Sequence, residues 1–392
     1  MNNVEKMENI ETNTREMDSN NSFITEENME MHYNGENAEE NTTEIRKCAS
    51  CGANMVYDPE KRALKCPYCG SDVELTFNNI CSEQSFYKLF NKDNNDWGEE
   101  THVFRCENCG AKQVISKTEI SKNCAFCGTS NVVELTEMSG LKPNAVLPFI
   151  LAKDKATENV IAWAKKRFFA PRKFKKSVKP DEIYGNYSPC FTFDSNTYSN
   201  YSGMLGEYYY VTVRRNGKSV RERRVRWFSI SGNHNSAFDD VLISASESVK
   251  KKEMGKLEPF DTNNAQEYSS DYLQGFTATQ YTKDGKTCWH EAQEVMKNRI
   301  ESQILSKYHY DVVKRLDVNT VFNDVTFKYV LLPLYVGHCS YAKKLYNFFV
   351  NGQTGKVAGK TPVSAFKVTV LVILGLAAIA GIIAYMKISG VI

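Results

Sequence analysis

The chain is organised by Cys48-Ala-Ser-Cys51-Gly52 and Cys66-Pro-Tyr-Cys69-Gly70, with fourteen residues between Cys51 and Cys66. The same unit recurs as Cys106-Glu-Asn-Cys109-Gly110 and Cys124-Ala-Phe-Cys127-Gly128, each cysteine 58 positions after its counterpart. Two residues between cysteines let one tight turn aim both sulfurs at a single ion. The glycine after each pair takes the positive φ that such a turn requires. A fourteen-residue spacer is long enough for a hairpin that returns the second turn to the first. The spacing therefore predicts two small β zinc ribbons, each closed by four thiolates around one structural Zn2+. Sulfur fills all four positions in each, which leaves no open site for catalysis.

Other uses of the cysteines fit less well. Disulfides need an oxidising compartment, and the N-terminus has no apolar run that would serve as a secretory signal. Asp58-Pro59 ahead of Cys66-Pro67-Tyr68-Cys69-Gly70 is faintly similar to rubredoxin, whose cysteine pairs lie much farther apart; this argues against iron. A redox role would require each pair to forgo a metal. The four remaining cysteines, Cys81, Cys190, Cys288 and Cys339, are scattered and read as small buried hydrophobes.

At 392 residues with 42 % hydrophobic content, the chain has room for two or three domains and a sizeable core. Its net charge of +2 conceals a split. Residues 1–46 hold twelve Asp/Glu against three Lys/Arg, or −9, leaving +11 for 47–392. The segment 1–44 is acidic, rich in Asn and Glu and nearly free of aromatics, so it reads as a disordered tail. Ribbon 1 is assigned to 45–76, a linker with a short helix (Ser85 to Phe90) to 77–102, and ribbon 2 to 103–136. Leu141-Lys-Pro-Asn-Ala-Val-Leu-Pro148-Phe149 reads as an extended linker into the next domain.

An α+β domain with an antiparallel sheet is expected over 141–362. Ala156, Val160, Ile161, Ala164 and Phe168 recur at helical spacing over Lys153–Phe169. Ala292, Val295, Met296, Ile300 and Ile304 do the same over 288–308. Strands are expected over 184–245, Val325–Val336 and Leu345–Val350, with a hairpin around Asn216-Gly217. Two basic clusters, Lys165 to Lys179 and Arg214 to Arg226, read as solvated faces or as surfaces for phosphates of lipid or nucleic acid.

Residues 368–386 carry no charge, and 19 residues at about 1.5 Å each cover roughly the 30 Å hydrocarbon core of a bilayer. A single C-terminal transmembrane helix is therefore expected over 367–387. Lys356, Lys360 and Lys367 precede the span and Lys387 alone follows it, which predicts a cell-membrane protein with its N-terminal domains in the cytoplasm.

No enzyme is expected. Thr354-Gly-Lys-Val-Ala-Gly359-Lys360-Thr361 approaches a phosphate-binding loop, but Thr354 stands where the first glycine is needed and Pro362 follows where a helix should begin. The six histidines form no ligand pattern, and His338 beside Cys339 reads as an ordinary neighbour pair. Nothing points to a small-molecule substrate.

Several stretches carry a family likeness: Ile183-Tyr184 to Pro189-Cys190-Phe191, Leu257-Glu-Pro-Phe-Asp261, Tyr272-Leu-Gln-Gly-Phe276, Tyr329-Val-Leu-Leu-Pro-Leu334, and Phe349-Val-Asn-Gly-Gln-Thr-Gly-Lys356. With the ribbons upstream, the chain resembles the bacterial zinc-ribbon membrane proteins that accompany phage-shock (PspA-like) and SPFH-type proteins. The resemblance implies a membrane-anchored adaptor of envelope stress that recruits a cytoplasmic protein partner to the lipid surface. Some such proteins are labelled primosomal or replication helicases, a label that the defective phosphate loop here does not support. The alternative expectation is a membrane-tethered, nucleic-acid-binding zinc-ribbon protein.

Overall fold

The computed structural model describes residues 46–75, 79–90, 101–108, 111–116, 124, 126, 129, 132–135, 141–177, 183–215 and 218–389. All of them lie in one compact unit, Thr42–Ile392. The acidic segment 1–44 lies outside the described residues.

Three strands of unusual length form the framework: Ile183–Arg215, Lys218–Ser244 and Val312–Tyr341, of 33, 27 and 30 residues. The first is central. The second pairs with it antiparallel from Ser244 opposite Cys190 out to Lys218 opposite Arg215. The third covers its other edge antiparallel, from Gly337 opposite Ile183 to Val312 opposite Gly206. The hairpin expected around Asn216-Gly217 thus has both its strands, although those two residues lie outside the described set. The third strand runs well beyond the expected Val325–Val336. Its first half, Val312–Asn323, mixes apolar with charged or polar residues without a strict period, and cross-strand bonds carry it where no apolar run does.

Burial along the central strand falls in steps. Asn186–Phe193 is buried on both faces, and Ser195–Ser202 then alternates strictly between buried and exposed. From Glu207 to Arg215 the strand pairs only with Arg226 to Lys218, among the described residues, and projects as a two-stranded arm. The core sits at the other end. There Phe149 stacks on Phe276 at 4.3 Å and meets Tyr335 and Tyr187 at 4.8 and 5.1 Å. Each such buried aromatic contributes about 1.5–3 kcal/mol by leaving water.

Leu141–Phe149 is extended, as its prolines favour, but it is core and not linker. Ala145–Val146 pairs parallel with Val330-Leu331, and Val146, Leu147 and Phe149 are buried. The apolar run between Pro143 and Pro148 decides this, because exposing it would forfeit its burial. Residues 79–90 also join the body: Gln84–Ser85 pairs with Phe327-Thr326, and the short helix is a 3-10 turn, Phe86–Phe90.

The helix Gly285–Leu305 buries Cys288, Trp289, Ala292, Met296, Ile300 and Ile304, the expected stripe extended by one turn. It starts where Asp284 accepts the Thr287 N–H at 2.8 Å, a cap worth about 1 kcal/mol. Lys153–Lys166 is helical and buries Ala156, Val160 and Ala164. It stops three residues before Phe169, so Phe168, expected in its apolar stripe, is instead exposed. Arg172–Ser177, Lys251–Leu257 and the C-terminal Ala365–Ile388 complete the five α-helices among the described residues.

Both ribbon regions are built onto this body. Val56–Asp58, Ala63–Lys65 and Asp72–Glu74 form a separate three-stranded antiparallel sheet. Met55, Tyr57 and Leu64 on it are buried in the main core. The Tyr57 hydroxyl donates to the Phe149 carbonyl at 3.2 Å, and its N–H donates to Gln274. Arg46 holds Asp271 through two bonds of 3.0 and 3.1 Å. Thr101–Cys106, Lys112–Ser116 and Val132–Leu135 make the second antiparallel unit. That unit joins the large sheet directly. Lys112–Ser116 bonds to Thr277–Thr279, which pairs parallel with the central strand at Asn186-Tyr187.

Candidate metal centre and membrane face

Cys48, Cys51, Cys66 and Cys69 bring one sulfur each into a cluster whose atoms all lie within 4.8 Å of one another. Cys48 Sγ is 3.4 Å from Cys69 Sγ, and Cys51 Sγ is 3.5 Å from Cys66 Sγ. These gaps are far above the roughly 2.05 Å of a disulfide. They bracket, with the 4.8 Å limit, the separation of about 3.8 Å that four sulfurs adopt at about 2.3 Å from a tetrahedral ion. Four thiolates in this space would repel one another, and a cation between them would offset that repulsion. Cys69 shows the tendency: the Ser71 hydroxyl and N–H lower its pKa to about 6. Cys51 goes the other way, to about 12, because crowding by Cys66 and Cys69 outweighs the Ala53 N–H that favours its thiolate. The four-cysteine group can hold a metal ion.

The turns that aim these sulfurs have one design. Cys48 N–H donates to Ala53 and Gly52 N–H returns to Cys48; Cys66 N–H donates to Ser71 and Gly70 N–H returns to Cys66. Gly52 and Gly70 sit at φ of +72° and +76°, where a side chain would be strained. In the second unit Cys106 N–H donates to Ala111 and Cys124 N–H to Thr129, the same five-residue closure, and both cysteines are buried. Cys109 and Cys127 lie outside the described residues.

Ala365–Met386 is 22 residues long, with a mean hydropathy of 2.6 and none of its most apolar stretch buried within the molecule. Length and composition suit it to cross a membrane. Its entry is tied to the corner between the first two helices: Ser364 N–H donates to the Phe169 carbonyl, and Lys367 Nζ to those of Phe168 and Ala170 at 2.7 and 3.0 Å. That corner carries Lys165, Lys166, Arg167, Arg172, Lys173, Lys175 and Lys176, with exposed Phe168 and Phe169 and no carboxylate between Trp163 and Ser177. The basic cluster lies some 190 residues before the span in sequence, so only the fold makes it a collar at the helix entry. Lys179 lies outside the described residues.

The remaining candidates are structural. Cys190 is fully buried opposite Val330 on the third strand, eight residues before His338, so the two do not form a dyad. Burial also pushes the Cys190 thiol up, away from a reactive thiolate. Cys81, Cys288 and Cys339 are buried as expected. The near-phosphate loop is a turn between Lys344–Asn351 and Val357–Gly359. Asn351, fully buried, accepts from Gln353 and Thr354 N–H and donates to the Leu257 and Pro259 carbonyls. Lys356 Nζ adds a bond to the Glu258 carbonyl at 2.7 Å. Two of the stretches that carry the family likeness are thus one locked contact.

A cysteine-knuckle module that can hold a metal, an α+β body and one candidate C-terminal span define the class of protein. A relative within it is the uncharacterized protein YdjG of Bacillus subtilis (strain 168), 30 % identical over 332 residues, which are 82 % of this chain and 91 % of that protein. The chain belongs to the same family as YdjG. No family model matches the chain. No solved structure matches it either.

Proposed function

We propose that the protein is a membrane-anchored, non-enzymatic adaptor whose zinc ribbons bind a cytoplasmic protein partner and hold it at the bilayer. The observation that carries this reading is the closed four-sulfur cluster, which leaves a metal no vacant position, in a chain with one candidate span. Each ribbon holds one Zn2+, two per chain, through Cys48, Cys51, Cys66 and Cys69 and through Cys106, Cys109, Cys124 and Cys127. The basic collar supports a cytoplasmic body, because lysines and arginines at a span's entry favour that side and anionic lipid. The first ribbon offers its knuckle to a partner: Tyr68, between Cys66 and Cys69, is 83 % exposed while the hairpin behind it is anchored in the core. The resemblance names the partner class, a PspA-like or SPFH-type protein acting in envelope stress.

Crosslinking in intact membranes tests this. The full chain should capture a PspA-like or SPFH-type protein of the same cell. Tyr68→Ala should weaken capture with zinc retained, and Cys66→Ser should abolish it. Absence of any such partner, or capture unaffected by both changes, overturns the reading.

A further inference from the structure

The arm beyond Gly206 has two unlike faces. On one, every acidic group is spent: Glu207 pairs with Arg226 at 2.7 Å, and Glu222 with Arg224 and Arg215 at 3.6 and 4.0 Å. The other face carries Tyr208, Tyr210, Arg214, Arg221, Arg223 and Trp227, since residues opposite one another in the register share a face. Among the described residues, no carboxylate pairs with Arg214, Arg221, Arg223 or the adjacent Lys314. Asp311, at the arm's edge, is engaged by the Tyr208 N–H.

Cations and rings on this face are interleaved. Arg221 lies over the Tyr210 ring and Arg223 over the Tyr208 ring, each at 4.3 Å, and Lys314 over Trp227 at 5.3 Å. Trp227 packs against Gly206, where a Cβ would come within 2.8 Å of the indole and 2.5 Å of Val225 Cγ1. A guanidinium stacked on a tyrosine keeps its fork of N–H donors at the edge, free for an anion, and its outer plane free for another flat group. Arg221 and Arg223 repeat every second residue, about 7 Å apart along the strand.

We infer that this arm face binds a single-stranded polynucleotide, phosphates on the arginine forks and bases stacked on the Arg–Tyr pairs and Trp227. An acidic polypeptide would use the charges but not the stacks. The headgroups met by the collar lie out of reach of this face, because the collar packs at the far end of the framework, where Tyr341 meets Phe174. Ile183 to Arg215 separates the two ends by about 100 Å of strand. The inference is independent of the ribbons and of the adaptor reading.

The test uses the full chain in zwitterionic nanodiscs and a fluorescent mixed-sequence RNA or DNA strand of about 20 nucleotides, titrated at stepped KCl. Arg221→Gln with Arg223→Gln should weaken binding at least about tenfold and lower the log–log salt slope by about 1.4, the share of two neutralised phosphates on a single strand. Tyr208→Ala with Tyr210→Ala should weaken it with the slope little changed. Arg224→Gln with Arg226→Gln, on the opposite face, should leave it within about twofold. No salt-dependent binding, or equal losses from the two arginine pairs, overturns the proposal. Equal affinity for duplex or polyglutamate, or displacement of the strand by phosphatidylglycerol vesicles, assigns the face to another partner and overturns it too.

Discussion

Cys66 is the most enclosed of the four clustered thiols, and its N–H closes the second knuckle on Ser71. Cys66→Ser should lower bound zinc by one ion per chain, measured by elemental analysis of the purified full chain. The hairpin should stay docked, because Tyr57, Met55 and Leu64 are buried in the main core. Lys328 gives a second expectation of this kind, its side chain 7 % exposed among Glu83, Asp240 and Asp194. Lys328→Met leaves part-buried carboxylates without their cation and should destabilise the fold, seen as a lower Tm. Burial pushes the Asp194 carboxyl up to about 6. A raised carboxyl means the folded chain holds the proton more tightly than the unfolded one. Its contribution therefore falls as pH rises from about 4 to 6 and is level above that. Asp194→Asn should remove this part of the slope of Tm against pH.

Among the elements, the Asn351 turn shows why a motif can look chemical and be mechanical. Four backbone groups depend on one buried amide. Asn351→Ala should cost about 2–4 kcal/mol, measured by chemical denaturation, with Asp barely better because it cannot donate to the two carbonyls. The helices were legible because their apolar stripes have the right period. The end of the first at Lys166 was not, since Phe168 continues its period but lies past the helix end, where its ring meets Lys367. The strands of 184–245 were legible from their Tyr, Phe and Val content and period-two stretches. Val312–Asn323 lies outside the expected Val325–Val336, and its pairing partners on the central strand reveal it.

For the molecule as a whole, the candidate span and the basic corner at its entry are joined by hydrogen bonds from Ser364 and Lys367. Removing the chain from Ala365 onward should shift the protein from the carbonate-resistant membrane fraction to the soluble fraction, followed by immunoblotting of fractionated cells. The body should keep its fold in that truncated chain, because the span is not buried against it. The ribbons are not beads on a string: one inserts its hairpin into the main core, and the other continues the large sheet through Thr277–Thr279.

Local chemistry was written in the sequence. Paired cysteines with trailing glycines, an uncharged run of membrane length and helical periodicity each depend on neighbours a few residues apart, so spacing alone expresses them. Tertiary structure decided whatever joins distant residues. It set the depth of the first hairpin in the core, the length of the three strands, the collar of residues 165–176 around a span that begins at 365, and the uncompensated face of the arm. These rest on strand register and on which charges meet, and a one-dimensional pattern carries neither. The cysteine units that organise the sequence therefore end as one part of a single framework, with a four-sulfur cluster that can hold a metal and their hairpin and sheet built into the body.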